Sequence, residues 1–289
     1  MTNDPVAFGA RLRAAIGERG RLCVGIDPHE ALLTRWDMSV SAASAREFGL
    51  RVVSACAGRV AVVKPQVAFY ERFGSAGFSA LEDVLAAARE AGLLVLADAK
   101  RGDIGSTMSA YARGWFAPGS PLEVDALTLN PYLGVGALRD SLEVAVSHGK
   151  GAFVLAATSN PEATAVQQAR VAADAVAPPQ TVAARVAHEV TAFNAGSTPR
   201  GEWGSVGLVI GATVDRDAAG LADVGEPVTP VLAPGFGHQG ARAEDVDRIL
   251  GAFAPAALVS ESRSILVAGP EGIVDAIDDA CRRAGGRRG

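Results

Sequence analysis

A lysine flanked by two aspartates follows a short apolar stretch of this chain. Lys100 lies two residues after Asp98 and three before Asp103, and all three follow the apolar run 93–97. Charges grouped at the end of a buried strand are costly to desolvate unless each is compensated by a neighbour. Two carboxylates can keep an ammonium ionised, and the ammonium can do the same for them. The spacing predicts an active site in which Lys100 faces developing negative charge and donates a proton.

A second lysine belongs to the same set. Lys64 ends another apolar run and precedes Pro65, which favours an extended backbone at the lysine. Acyl transfer would need a nucleophile with a neighbouring base, and no GxSxG sequence precedes a helix. The four histidines are far apart in sequence and form neither HxxxH nor HExxH. The sequence therefore predicts neither a metal site nor a nucleophilic residue.

Three glycines near the end of the chain predict a phosphate site. Gly235, Gly237 and Gly240 follow Pro234 after one apolar run, and Arg263 follows the next. Barrels of alternating strands and helices often bind phosphate at the loops after strands seven and eight. Glycines let backbone N–H groups approach the oxygens, and an arginine can bind two oxygens at once.

The same glycines also fit the G-x-G-x-x-G pattern of dinucleotide-binding proteins, with Glu261 about twenty residues later. Only one predicted strand follows this pattern, whereas a dinucleotide site needs further strand–helix units to complete its half of the sheet. A nicotinamide-dependent oxidoreductase is therefore a less favoured alternative.

The elements that must position these residues alternate regularly along the chain. Short apolar runs alternate with alanine-rich helical stretches, as in repeated strand–helix units on a parallel sheet. Eight strands with eight interleaved helices favour an α/β fold, a (β/α)8 TIM barrel, over an open doubly wound sheet. The predicted strands are 22–26, 60–63, 93–97, 126–129, 151–156, 206–210, 228–232 and 256–259. Predicted helices include 79–91, 135–147, 241–252 and 271–284.

Residues 1–289 are expected to form one barrel domain. The connection 160–202 after the fifth strand is too long for a simple loop and includes a helical pattern at 182–193, so a partly helical surface insertion is predicted there. The glycine- and arginine-rich end, 285–289, is expected to be a flexible tail.

Composition narrows the class of protein. The 289 residues are 49% hydrophobic and carry a formal net charge of −5, which gives no reason to expect binding to nucleic acid. Three widely spaced cysteines suggest reduced thiols and neither a disulfide framework nor a zinc site. Without an apolar leader or a long apolar run, we expect a cytoplasmic protein with no membrane partner.

Several segments resemble orotidine 5'-phosphate decarboxylase, in particular the longer bacterial members of that family. The strongest match is 98–107, which is similar to the family signature D-x-K-x-x-D-I-x-x-T. Other segments match in the expected order over nearly the whole chain: 24–28, 64–66, 158–161, 211–213, 234–240 and 261–265. Many shorter members have glycine before the phosphate-binding arginine, where this chain has Ser262.

The resemblance implies loss of CO2 from orotidine 5'-phosphate to give uridine 5'-phosphate in pyrimidine synthesis, with no cofactor and no metal. By position in the matched segments, it implies that Lys100 protonates C6 of the pyrimidine. Asp98 would hold Lys100 and lie against the departing carboxylate. A homodimer with composite sites is also implied, in which Asp103, Ile104 and Thr107 reach into the neighbouring subunit.

The resemblance assigns substrate contacts to further residues. It implies that Asp27 and Lys64 bind the ribose hydroxyls, that Ser159 binds the pyrimidine edge and that Gln239 bridges base and phosphate. The phosphate would be held by Arg263 and the loop residues Pro234, Gly235, Gly237 and Gly240.

Two other functions remain open. A magnesium-dependent sugar-phosphate decarboxylase or aldolase of the same barrel superfamily has a similar D-x-K-x-x-D pattern, although no extra glutamate follows the second or third strand here to complete a metal shell. A non-catalytic nucleotide-binding module would have no need of a lysine between two acids.

Overall fold

Eight parallel strands close into a barrel in this computed structural model, which describes residues 5–173, 179–221 and 225–285. Each strand pairs with its sequence neighbours, and the eighth pairs with the first, which confirms the predicted (β/α)8 TIM barrel. The strands are β1 Leu22–Ile26, β2 Val62–Pro65, β3 Leu94–Arg101, β4 Ala126–Leu129, β5 Gly151–Ala157, β6 Val206–Ile210, β7 Val231–Pro234 and β8 Ala257–Glu261.

Helices cover the outside of this barrel. The α-helices are α1 Phe8–Arg19, α2 Glu30–Arg35, α3 Ala42–Cys56, α4 Ala68–Glu71, α5 Gly74–Glu90, α6 Gly105–Phe116, α7 Arg139–Ser147, α8 Thr164–Gln167, α9 Val182–Ala195, α10 Val246–Leu250, α11 Arg263–Leu266 and α12 Gly269–Arg283. The 3-10 helices are Val135–Leu138, Pro161–Ala163, Gly237–Gln239, Ala243–Asp245 and Gly251–Ala256. Within the described ranges, none of the helices has both the length and the apolar character that crossing a membrane requires.

The strands are buried on both faces, which explains why they are nearly continuous apolar runs. One apolar cluster lies between the strands and the outer helices, and a smaller one fills the barrel interior. Helix α1 closes the amino-terminal end of this interior. The ring of Phe8 packs edge to face against the ring of Phe153, with 6.1 Å between the ring centroids, and Leu12 is fully buried. The interior cluster includes Cys23, Leu96, Phe153, Leu232 and Leu258.

Five strands extend further toward the carboxyl end than predicted, and three of these gain charged residues. β2 includes Lys64, β3 continues through Asp98 to Arg101, and β8 includes Glu261. Parallel pairing satisfies the backbone groups of these residues, so charged side chains at the barrel rim do not end the strands. β7 begins three residues later than predicted, at Val231, because Pro230 has no N–H to donate to a neighbouring strand.

The connection between β5 and β6 differs from the expected insertion over 160–202. Helix α9 packs on β5 and β6, burying Ala183, Ala187 and Val190, and is the regular helix of this barrel unit. Asn194 bonds both the N–H and the C=O of Val206, which joins the helix to the start of β6. The residues beyond a minimal connection therefore lie within 160–181, where 170–171 and 180–181 form a short antiparallel ladder.

Two helix predictions were wrong in detail. The described part of 211–230 contains turns and no helix, so the expected helix between β6 and β7 is not found there; Gly220, Gly225 and Pro227 disfavour one. The predicted helix at 241–252 is divided into short pieces, and α10 ends at Gly251, which has a φ of 51°. Of the expected tail at 285–289, all but the first residue lies outside the described residues.

Closure of the barrel by α1 predicts a difference between two substitutions on that helix. Leu12→Ala should lower the free energy of unfolding by about 2–5 kcal/mol, because it leaves a cavity in the interior cluster. Gly17→Ala should raise it by up to about 1 kcal/mol, since no atom lies within 4 Å of the added methyl. Urea unfolding followed by circular dichroism measures both. Equal, small effects would contradict the packing role of α1.

Candidate active site

The centre of the site is the carboxylate of Asp98, and each of its two oxygens contacts a different lysine. Lys64 Nζ lies 3.0 Å from Oδ2, and Lys100 Nζ lies 2.5 Å from Oδ1. Asp98 and Lys64 are buried, with 8% and 7% of their surface exposed, whereas the Lys100 side chain is about half exposed. Lys100 is therefore the member of the cluster that a bound molecule can reach.

A bulge at the end of β3 directs both side chains to this place. The register between β3 and β4 shifts between Ala97 and Arg101, and Lys100 has a φ of 48°. This left-handed conformation is unfavourable for a lysine and persists only where the surroundings stabilise it. Here the Lys100 N–H donates to Thr128 Oγ1 at 2.9 Å. Asp98 and Lys100 lie within this irregular part of β3, and their side chains contact each other at the barrel rim.

Thr128 and Gln66 complete the shell around Asp98. Thr128 Oγ1 donates to Asp98 Oδ1 at 3.1 Å, and Gln66 Nε2 donates to Oδ2 at 2.9 Å. Sequence reasoning missed both as functional residues. The available signals were a polar residue inside the apolar strand β4 and the placement of Gln66 two residues after Lys64.

The two lysines keep Asp98 ionised. Burial favours the neutral acid, but the charges of Lys64 and Lys100 outweigh it, so the pKa of Asp98 falls well below its usual range. Burial likewise favours neutral Lys64, yet Asp98 and then Asp27 raise the pKa of Lys64 above its ordinary value. At neutral pH Asp98 and Lys64 therefore both stay ionised, as a buried ion pair.

Asp27, at the end of β1, lies beside this cluster and faces the loop after β8. Its Oδ2 accepts a hydrogen bond of 2.5 Å from Ser262 Oγ. Neighbouring His29 has a lowered pKa because of burial and the positive charge of Arg263, which Asp27 partly opposes. The first and eighth strands thus bring a carboxylate, an imidazole and a guanidinium together.

Arg263 begins α11 and is exposed at the rim. Its side chain makes no hydrogen bond or ion pair with any other residue in the described part of the chain. A planar guanidinium left open in this way suits a ligand with paired oxygens, such as a phosphate.

Two backbone amides of the glycine loop form hydrogen bonds within the loop. Gly237 N donates to Ala241 O at 2.9 Å, and Gly240 N donates to Gly237 O at 3.0 Å. The loop glycines set its shape, since Gly235, Gly237 and Gly240 have φ values of 113°, 68° and 102°. Pro234 ends β7, and Gln239 lies exposed on the loop.

Glu261 is a third residue that sequence reasoning did not assign to the site. It is only 2% exposed, accepts from Ser264 Oγ at 2.7 Å and pairs with Arg283 of α12 at 3.3 Å. Its Oε2 would lie 2.9 Å from a Cβ at Gly237. Glu261 thus connects the glycine loop, the start of α11 and the last helix, which is a supporting role.

Asp103 does not contact Lys100 within the chain, contrary to the expectation of two acids around the lysine. Its Oδ1 accepts instead from Ile104 N at 2.8 Å. Ile104 and Thr107 are exposed at the start of α6.

Ser159 lies exposed after β5 and shares a cavity with Thr213, from the loop after β6. Most of the predicted site residues thus lie at the carboxyl ends of strands or on the loops that follow them, whereas Ile104 and Thr107 lie at the start of α6. Across the described ranges, no group of three or more His, Cys, Asp or Glu side chains has the arrangement of a metal site.

Comparison with known proteins shows which family this chain is similar to. The family model for orotidine 5'-phosphate decarboxylase / HUMPS matches residues 20–273. A Salinispora tropica orotidine 5'-phosphate decarboxylase is 50% identical over 283 residues, 96% of this chain and 98% of the relative.

Solved structures agree with this match. A candidate orotidine 5'-phosphate decarboxylase from Streptomyces avermitilis superposes with a TM-score of 0.87 at 45% identity, over 97% of this chain and 95% of the other. The OMP decarboxylase of Leishmania donovani superposes with a TM-score of 0.75 at 28% identity, over 97% and 98%. This chain therefore belongs to the orotidine 5'-phosphate decarboxylase / HUMPS family.

Proposed function

We propose that the Lys64–Asp98–Lys100 cluster decarboxylates orotidine 5'-phosphate to uridine 5'-phosphate, with Lys100 as the proton donor and without a metal or cofactor. The activity is that of the relatives that match almost the full chain at about 50% identity. The observation that supports the residue roles best is the buried Asp98 carboxylate held between two lysines, one of them open to the site.

The reaction needs a cation at the carbon that loses CO2. The bond between C6 and the carboxylate breaks, its electron pair stays at C6, and CO2 leaves. Lys100 then transfers one proton from Nζ to C6, and a proton from solvent restores the ammonium. Asp98 fixes Lys100 Nζ at 2.5 Å before substrate arrives, so little reorganisation is needed as charge develops.

The rest of the rim binds the parts of the substrate that do not react. Arg263 and the glycine loop receive the phosphate, Asp27 and Lys64 the ribose hydroxyls, and Ser159 and Gln239 the base. Binding energy from the phosphate can order the charged centre although the phosphate is unchanged. The side chains of Lys64, Lys100 and Arg263 give this rim cationic groups that suit a substrate carrying both phosphate and carboxylate.

We further propose a homodimer in which Asp103, Ile104 and Thr107 contribute to the site of the partner. Ile104 is 61% exposed, and two other large apolar side chains, Tyr132 and Leu133, are 81% and 53% exposed on the loop after β4. The two loops are adjacent, since a Cβ at Gly102 would lie 2.3 Å from Asn130 O. Exposed apolar side chains grouped beside a site favour a protein interface.

The proposed chemistry predicts that the purified protein converts orotidine 5'-phosphate in the presence of a chelator. Lys100→Ala should lower kcat at least about 100-fold, the contribution expected of a general acid. Loss of absorbance of the substrate measures turnover, and calorimetry with uridine 5'-phosphate should show that the variant still binds through the phosphate loop. Strict dependence on added magnesium would favour the sugar-phosphate alternative. Retained turnover in Lys100→Ala would show that another group donates the proton.

The composite site predicts that two inactive variants restore each other. Mixed dimers of Lys100→Ala and Asp103→Ala contain one site with both residues intact, so activity should reappear after subunit exchange. Mixed dimers of Lys100→Ala and Asp98→Asn serve as the control, because those residues belong to the same site and no intact site forms. Lack of recovery in mixed dimers verified by mass spectrometry would contradict sharing of Asp103.

A further inference from the structure

We propose that Ser262 is a positioning residue that holds the Asp27 carboxylate in the orientation that receives a ribose hydroxyl. The proposal rests on the proposed function and concerns the part of the site that selects a ribonucleotide. Ser262 lies between the buried Glu261 and the exposed Arg263, where β8 ends and α11 begins. It is thus the link between the phosphate-binding arginine and the ribose-binding aspartate.

The contact between Ser262 and Asp27 is direct. Ser262 Oγ donates to Asp27 Oδ2 at 2.5 Å, across 235 positions of sequence. Ser262 is not a helical residue, and its φ and ψ of −137° and −81° turn it toward β1 at the start of α11. A hydrogen bond to one oxygen restricts rotation of the carboxylate about its Cβ–Cγ bond. The position of the second oxygen is therefore fixed as well.

The second oxygen of Asp27 has unused capacity. Oδ1 is shielded from solvent and has no hydrogen-bond donor among the described residues. A carboxylate accepts about four hydrogen bonds, and leaving one buried and unpaired is unfavourable. Asp27 as a whole is only partly buried, so a hydroxyl that enters from the rim and displaces the atoms covering Oδ1 can donate to it. A ribose hydroxyl is a donor that can supply this missing hydrogen bond.

Gly25 makes room for this serine. An added Cβ at Gly25 would lie 2.7 Å from Ser262 Cβ and 3.0 Å from its Oγ, distances at which one of them must move. The next atom is Asp27 Oδ1, at an ordinary contact distance of 3.4 Å. β1 and β8 are paired, with Val24 opposite Glu261, so Gly25 and Ser262 are brought together by strand register. The glycine and the serine therefore form one complementary pair.

The proposal is tested with substrates that lack one hydroxyl. The kcat/KM values are measured for orotidine 5'-phosphate and for its 2'-deoxy and 3'-deoxy analogues, with wild type, Ser262→Ala, Asp27→Ala and the double variant. Ser262→Ala should lower kcat/KM about five- to tenfold for the natural substrate, the effect of one hydrogen bond. It should change the value less than twofold for the analogue that lacks the hydroxyl bound by Asp27. It should add nothing to Asp27→Ala.

A neighbouring serine provides the matched control. Ser264 lies on the same segment but donates to Glu261, so Ser264→Ala should change kcat/KM for all three substrates by the same factor. Gly25→Ala should lose the preference for the natural substrate as Ser262→Ala does. Adding Ser262→Gly to Gly25→Ala should restore the thermal unfolding midpoint, since the overlap is removed, but not the preference.

The outcomes separate two failures. A wild-type protein that does not decarboxylate orotidine 5'-phosphate overturns the proposed function. An active wild type with a Ser262→Ala effect that is equal for all three substrates, or that multiplies the effect of Asp27→Ala, overturns the positioning role alone. Recovery of the preference in Gly25→Ala/Ser262→Gly, which has no hydroxyl at 262, would also overturn it.

Discussion

The site depends on the buried carboxylate of Asp98, which contacts two lysine side chains. Asp98 could not remain ionised inside the barrel end without Lys64 and Lys100, and burial would otherwise favour neutral Lys64. Asp98 and Lys64 therefore each keep the other ionised. Gln66 and Thr128 fill the remaining acceptor positions, so the carboxylate has no freedom to turn away. The arrangement is rigid before any ligand binds, which is the property that electrostatic stabilisation of a reaction requires.

The barrel makes this arrangement possible by dividing the tasks among its strands. β2 contributes Lys64 from a fully buried position, and β3 bulges to place Lys100 at the rim. β1 and β8 carry Asp27 and Arg263, on the side where the ribose and phosphate are proposed to bind. Helix α1 closes the opposite end and supports the interior without entering the site. Stability and chemistry thus occupy opposite ends of the same strands, as is usual for barrels of this type.

Much of this could be predicted from sequence because apolar runs of the right length specify buried strands, and charged residues after them mark the rim. The grouping of Lys64, Asp98 and Lys100 in one charged cluster could be predicted from residue type and order. Contacts set by backbone geometry could not be predicted. The left-handed conformation of Lys100 arises from pairing with β4, and the internal hydrogen bonds of the Gly237 loop arise from its closure.

Contacts between residues that are far apart in the sequence could not be predicted either. Nothing near Ser262 in the sequence indicates that it meets Asp27, and Arg283 reaches Glu261 only because α12 packs back on the barrel. The helix α9 was assigned to an insertion because a long irregular connection precedes it. Its buried face, which identifies it as part of the barrel, is evident only once β5 and β6 are in place.

The most direct test of the account is whether Lys64 and Asp98 act as a unit on the rate. The kcat for orotidine 5'-phosphate is measured for wild type, Lys64→Met, Asp98→Asn and the double variant. If the charges sustain one another, removing either already disrupts the cluster, and the double variant loses little more than the more damaged single variant. Losses that multiply, so that the double variant shows the product of the two single effects, would contradict the account.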